Sequence, residues 1–176
     1  MTRSRLILPD ANVVIRLFEV ALWKKTVERC HLVLARTVVD EVRFFERGDE
    51  RIPIERDELT CDGSVEIREL PASAVHAYCR RFGATYYEKL DPGEAEALAL
   101  LEQDPAARIC SADKIVWRVL GNTNQAERGV SLEEMLQQIG LTRVLPERFS
   151  KVFREKWCRA GSVERLMGRG DETSSF

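Results

Sequence analysis

Four acidic residues, each set at the end of an apolar run, have the types and positions to do chemistry: Asp10, Glu41, Glu94 and Asp113. Asp10 closes Leu6-Ile7-Leu8 and opens Asp10-Ala11-Asn12-Val13-Val14-Ile15, and Glu41 lies in Thr37-Val38-Val39-Asp40-Glu41-Val42. Glu94 belongs to Leu90-Asp91-Pro92-Gly93-Glu94-Ala95, and Asp113 to Ile109-Cys110-Ser111-Ala112-Asp113-Lys114. Carboxylates at the carboxyl ends of strands and in the first turns of helices can converge at one edge of a sheet. Such a cluster repels itself unless a hard divalent cation neutralises it. The pattern predicts a metal-dependent enzyme whose substrate is a phosphodiester.

Each acid also has a structural alternative. Asp10 can cap the helix that follows it, accepting from the amides of residues 12 and 13. Glu41 sits on the edge of an apolar helix face, where an inward carboxylate needs a metal or an arginine partner. Asp40 is better explained as the acidic half of a Thr37 capping box. Asp91-Pro92-Gly93-Glu94 resembles another capping box, and Glu96 projects from nearly the opposite side of that helix, so Glu94 and Glu96 cannot both serve one site. Asp113 falls in a first helical turn, where negative charge is favourable in any protein, and Ser111 is an ordinary N-cap.

The elements that must position these residues read as alternating strands and helices. Leu6-Ile7-Leu8, His31-Leu32-Val33-Leu34-Ala35 and Ala107-Arg108-Ile109-Cys110 are short apolar runs suited to buried parallel strands, with Val130 as a last short strand. Helical spacing follows Asp10 through Val14, Leu17, Phe18, Ala21 and Leu22. A helix capped by Thr37 is expected to carry Val38, Val42 and Phe45, and further helices to run from Ala72 to Phe82, from Asp91-Pro92 toward Asp104, from Ala112 to Leu120 under a Ser111 cap, and from Ser131 to Gly140. Residues 51–70 break this rhythm: Arg51-Ile52-Pro53-Ile54 and Ser64 to Leu70 alternate around a Cys61-Asp62-Gly63 turn, an excursion that admits a hairpin. Alternation of this kind gives an α/β fold with a mainly parallel sheet.

At 176 residues the chain suits a single core, expected over residues 1–142, with residues 143–176 as a basic helical extension ending in a disordered Asp171–Phe176. The extension is expected to hold an amphipathic helix through Phe149, Val152, Phe153 and Trp157 and a weaker one after it. Between Arg143 and Arg169 the local charge is +5, against −7 for the rest, so the tail offers phosphates or an acidic partner a positive surface, or is simply a solvated helix. Five scattered cysteines with no Cys-x-x-Cys pair argue against a zinc site and a disulfide framework, and for reduced thiols in a cytoplasmic protein. No apolar run approaches the roughly 20 residues that span a bilayer, and the basic N-terminus lacks the apolar stretch of a signal peptide. His31 and His76 read as structural or surface residues. No Walker A or Gly-x-Gly-x-x-Gly sequence supports a nucleotide cofactor.

Taken in order, the four acidic stretches resemble the PIN domain family of small metal-dependent nucleases, over roughly residues 5 to 142. The resemblance implies a three-layer α/β/α sandwich with a mainly parallel central sheet, and Asp10, Glu41, Glu94 and Asp113 around one or two Mg²⁺ or Mn²⁺ ions. Asn12 and Ser111 match the polar positions beside the first and last acids, where they would orient waters or a phosphate oxygen. The implied activity is endoribonuclease cleavage of RNA. Many bacterial members look like the VapC toxins of toxin–antitoxin pairs, which implies a small antitoxin or a second copy of the chain as partners. Two readings stand beside it: a PIN-fold scaffold that binds RNA or a protein without cutting, and a phosphate-processing hydrolase of another family. Haloacid-dehalogenase-type phosphatases usually carry a second aspartate near the first strand, where this chain has Asn12.

Overall fold

Short buried strands alternate with helices because each apolar run is too short to do more than cross a core once. The computed structural model describes residues 6–83, 86 and 88–170. Strand β1 (Ile7–Pro9) leads into α1 (Ala11–Glu19), and Ala21, at φ 55°, breaks the helical spacing before α2 (Trp23–Arg29). Strand β2 (Val33–Ala35) runs directly into α3 (Arg36–Glu41). After β3 (Phe44–Arg47), β4 (Glu50–Pro53), α4 (Arg56–Thr60), β5 (Glu66–Arg68) and α5 (Ala72–Cys79) comes α6 (Pro92–Gln103), buried from Gly93 to Leu101. The chain closes with β6 (Arg108–Cys110), α7 (Lys114–Asn122), α8 (Leu132–Gln138) and α9 (Lys151–Leu166).

The result is a mixed α/β structure built on short parallel strand pairs. β1 pairs in parallel with β6, Leu8 opposite Ile109, and β2 with β5, Leu34 opposite Ile67. A parallel bridge from Ile7 to Leu32 sets these pairs side by side, and one from Ile109 to Gly129 extends the sheet beyond β6. β2 thus flanks β1 on one side and β6 flanks it on the other. Helix α6, apolar on nearly every face, packs against β1, β2 and β6 as well as α3 and α5, as expected for a helix with no solvent side. Among the described residues no helix is long and apolar enough to cross a membrane.

Several local expectations change. The hairpin joins β3 to β4 through Gly48, at φ 61°, whereas the segment expected to pair with residues 51–54 becomes β5 and joins β2 in parallel. Helix α3 stops at Glu41, so Phe45 belongs to β3 and stacks on Phe18, 5.8 Å between ring centres. Thr37 caps nothing: Ala35 is the N-cap, and the Thr37 hydroxyl and amide both donate to Glu96. Ser111 yields the cap of α7 to Asp113, which accepts from the Ile115 amide at 2.9 Å. The tail forms one helix, not two, with Phe149 in a preceding 3-10 turn, and Asp171–Phe176 lie outside the described residues.

Helix α9 lies along α7 at a distance only glycine allows. A methyl group at Gly121 would stand 1.9 Å from the Cys158 carbonyl oxygen, and one at Gly161 2.0 Å from that of Arg118. Arg118 pairs with Glu164 at 2.6 Å across this contact, and Tyr86 donates its hydroxyl to the same carboxylate. Arg154 forks onto Glu134 at 2.8 and 2.9 Å, tying α9 to α8.

Candidate active site

Three aspartates cap three helices at the same end of the strands: Asp10 before α1, Asp91 before α6 and Asp113 before α7. The chain leaves β1 for β2 on one side and leaves β6 for Gly129 on the other, so the crevice outside the carboxyl ends of β1 and β6 is a topological switch point. Ligands of open parallel sheets bind at such points, because the diverging connections leave the crevice uncovered.

Asp10 is buried and held by three donors: the Val13 amide at 2.7 Å on one carboxylate oxygen, and the Ser111 hydroxyl and the Ala112 amide, the latter at 3.0 Å, on the other. Ser111 also accepts from the Asp113 amide at 3.0 Å, so this one hydroxyl locks the two aspartates together across β1 and β6. The signal for that role was present in the Ser-x-Asp spacing, but the partner across the sheet was not. Glu94 is 5% exposed and exchanges bonds with Asp91: its amide donates to Asp91 at 2.7 Å, and its carboxylate accepts from the Asp91 amide at 3.1 Å. Glu41, at the exposed end of α3, lays its carboxylate against Gly93. Both Glu41 oxygens come to 3.0 Å from where a Gly93 Cβ would stand, so only glycine leaves them in place without a shift.

These residues share one cleft of about 230 Å³, lined by Asp10, Asn12, Glu41, Asp91, Gly93 and Glu94. Asn12 stands exposed at its edge. Asp113 stays outside that lining, but its charge acts on both Asp10 and Glu94. Sequence reasoning placed Asp91 and Gly93 only in a capping box; their second role follows from where α3 brings Glu41. Glu96, as expected from its side of the helix, turns away and accepts from Thr37 and from the Leu70 amide at 2.9 Å, anchoring α3 to α6.

The electrostatics of the cleft are those of an uncompensated negative cluster. Burial pushes Asp10 above the usual carboxylate range, against the pull of its three hydrogen bonds, and the Asp113 charge adds to the rise. Loss of water against α6 raises Glu41, with Asp91 and Asp10 adding to it and the Gly93 amide opposing. Burial, and then the charges of Asp91, Asp113 and Asp10, push Glu94 up to about 8 despite its bond from the Asp91 amide. Among the described residues no ion pair is formed by Asp10, Glu41, Asp91, Glu94 or Asp113. The donor set is all oxygen, which suits Mg²⁺ or Mn²⁺ rather than zinc. Among the described residues no three His, Cys, Asp or Glu side chains stand close enough to enclose an ion directly. Mg²⁺ keeps several waters and takes one or two carboxylates, so wider spacing is compatible with it.

No family model, curated protein or solved structure matches the chain.

Proposed function

We propose that the chain is a metal-dependent endoribonuclease of the PIN type, hydrolysing RNA phosphodiester bonds at the cleft lined by Asp10, Glu41 and Glu94, with Asp113 beside it. One observation carries this reading: Asp10, Glu41 and Glu94, from three separate elements, line one cleft with Asp113 beside it, no cation among the described residues pairs with them, and burial with mutual repulsion raises the pKa of the three that line it. A stable fold has no use for such a cluster, since its charges cost free energy until a cation offsets them. In this reading the parallel strands form the middle layer of a three-layer α/β/α sandwich.

Asp10 and Asp113 would hold a principal Mg²⁺ or Mn²⁺, with Glu41 and Glu94 bound directly or through water. Such an ion supplies a water of lowered pKa and offsets the charge that develops on the phosphate. The protein's part is orientation. Ser111 and the amides of Val13 and Ala112 fix the Asp10 carboxylate, leaving it no freedom to follow solvent. Glu94, pushed up to about 8 without a metal, would release its proton on binding a cation. Asn12, exposed at the cleft edge, can donate its side-chain amide to a phosphate oxygen. As a toxin of a toxin–antitoxin pair, the protein would be silenced by an antitoxin that blocks this cleft.

A non-catalytic PIN-fold scaffold that binds RNA or a protein is the second reading, favoured by the spacing that, among the described residues, keeps any three acids from enclosing an ion directly. Wild type and Asp10→Asn on a mixed RNA substrate, with Mn²⁺, Mg²⁺ or EDTA, separate the two. Cleavage that needs metal and is lost in a folded Asp10→Asn variant supports the nuclease. No cleavage, with no metal-dependent rise in melting temperature, supports the scaffold.

A further inference from the structure

The cleft is negative, yet a positive surface begins one residue away from it. Lys114 follows Asp113 and opens α7, and its ammonium lies 5.7 Å from the centre of the Trp157 ring on α9. Lys156 approaches the same ring at 5.3 Å, and Phe153 packs edge-on to it at 6.1 Å. Both lysines are exposed and Trp157 is half-buried.

Core packing accounts for only part of this trio: Trp157 rests partly against the core, while both lysines stand in solvent. A lysine in the first turn of a helix opposes the helix dipole, a cost that the Asp113 cap of α7 offsets only in part. Among the described residues the Trp157 indole nitrogen is buried without an acceptor, although buried tryptophan N–H groups usually find one. Hydrogen bonding therefore gives no reason for tryptophan over phenylalanine, and beyond its core contact the larger ring offers area beside two ammoniums. The surrounding segment, residues 143–169, carries +5 on a chain whose other residues sum to −7.

We propose that Lys114, Trp157 and Lys156 form a contact site for single-stranded RNA, in which a base stacks on the Trp157 ring and the two ammoniums take the flanking phosphates. Aromatic rings bind single strands in this way whatever the sequence, because every base presents a π-face that a duplex keeps stacked inside. The lysines now over the ring are long and exposed, and such weak cation–π contacts yield readily to an incoming base. Because Lys114 adjoins Asp113, a strand held here runs past the acidic cleft. The choice of RNA as ligand rests on the nuclease reading; the stacking surface itself does not.

Trp23 and Trp117 are 2% and 0% exposed, so an added ligand reports through Trp157. The test is tryptophan emission of the full chain titrated with an unlabelled oligouridylate at low salt, in EDTA so that metal-dependent cleavage plays no part. The expected result is saturable quenching that Trp157→Phe reduces and Trp157→Ala weakens in affinity about tenfold or more. Lys114→Gln with Lys156→Gln, both exposed and safe for the fold, should lower the slope of log affinity against log salt by about 1.4. The proposal is overturned by affinity, measured by anisotropy, that none of these variants changes, by equal quenching with duplex RNA, or by equal quenching with polyglutamate or polylysine in place of RNA. Failure of cleavage alone would sink the nuclease and leave this site standing; failure of quenching would do the reverse.

Discussion

Replacing Gly161 by alanine tests the contact that brings Trp157 to Lys114. A methyl group there would stand 2.0 Å from the Arg118 carbonyl oxygen and 2.7 Å from its carbon. Carbon and oxygen approach to about 3.3 Å at closest in ordinary packing, so the two helices must part by about 1.3 Å. The obstacle is backbone, so no rotamer change relieves it. Two effects of opposite sign compete. Alanine is favoured over glycine in a helix interior by about 1 kcal/mol. Overpacking costs about 1–3 kcal/mol, and a clash of backbone with side chain on a rigid helix pair belongs at the upper end. The parting also stretches the Arg118–Glu164 pair, now at 2.6 Å. The net expectation is a loss of about 2 kcal/mol, read as a fall of about 4–8 °C in the Tm followed by circular dichroism. Gly121→Ala should do the same, and the double variant should lose less than the sum, because both relieve one contact by the same motion. An unchanged or raised Tm for Gly161→Ala would show that helix propensity governs and that α9 is not seated as described.

Three further outcomes follow from the site and its supports. Glu94, held at about 8 against an ordinary 4.5, keeps a proton in the folded, metal-free chain that the unfolded chain has lost, so stability falls as pH rises from 4.5 to 8. Glu94→Gln removes that slope and should be more stable than wild type by about 3 kcal/mol at pH 7 in EDTA, with no gain at pH 4; parallel urea-denaturation profiles from pH 5 to 8 would refute it. Gly93→Ala should push the Glu41 carboxylate aside, lowering metal-dependent RNA cleavage about ten- to hundredfold while leaving the Tm nearly unchanged, since a flexible side chain absorbs the contact; full activity would remove Glu41 from the site. Burial tends to raise Glu134, but the fork from Arg154 and the Ser131 bonds outweigh it and hold it below its usual range. The stability this supplies is present above pH 4.5 and lost as pH falls through the depressed value, so Arg154→Met should cost about 2 kcal/mol at pH 7 and progressively less as the pH is lowered below 4.5, as measured by urea titration across that range.

The short apolar runs at Leu6-Ile7-Leu8 and Ile109-Cys110, with their aspartates, were legible because a strand's burial and a helix cap are both local properties of a few residues. The same holds for the capping boxes at Asp91–Glu94 and Ser131–Glu134, where donor and acceptor lie three positions apart. The sequence by itself thus determined the alternating α/β character and the order of the four acids. It did not determine that Asp10 and Ser111 touch, since their bond spans 101 positions and exists only because β1 pairs with β6 in one register. Nor did it determine that residues 66–68 pair with β2 rather than with residues 51–54, because alternation fits either partner and only burial in the whole sheet selects one. Helix α3 looked longer than it is for the same reason: spacing cannot see the turn after Val42 that sends Phe45 to Phe18. Asp91, Gly93 and Trp157 acquire their second roles from Glu41 and Lys114, neighbours contributed by distant segments. Local interactions fix what each short segment becomes; long-range packing, which no single segment encodes, decides which side chains share a cleft.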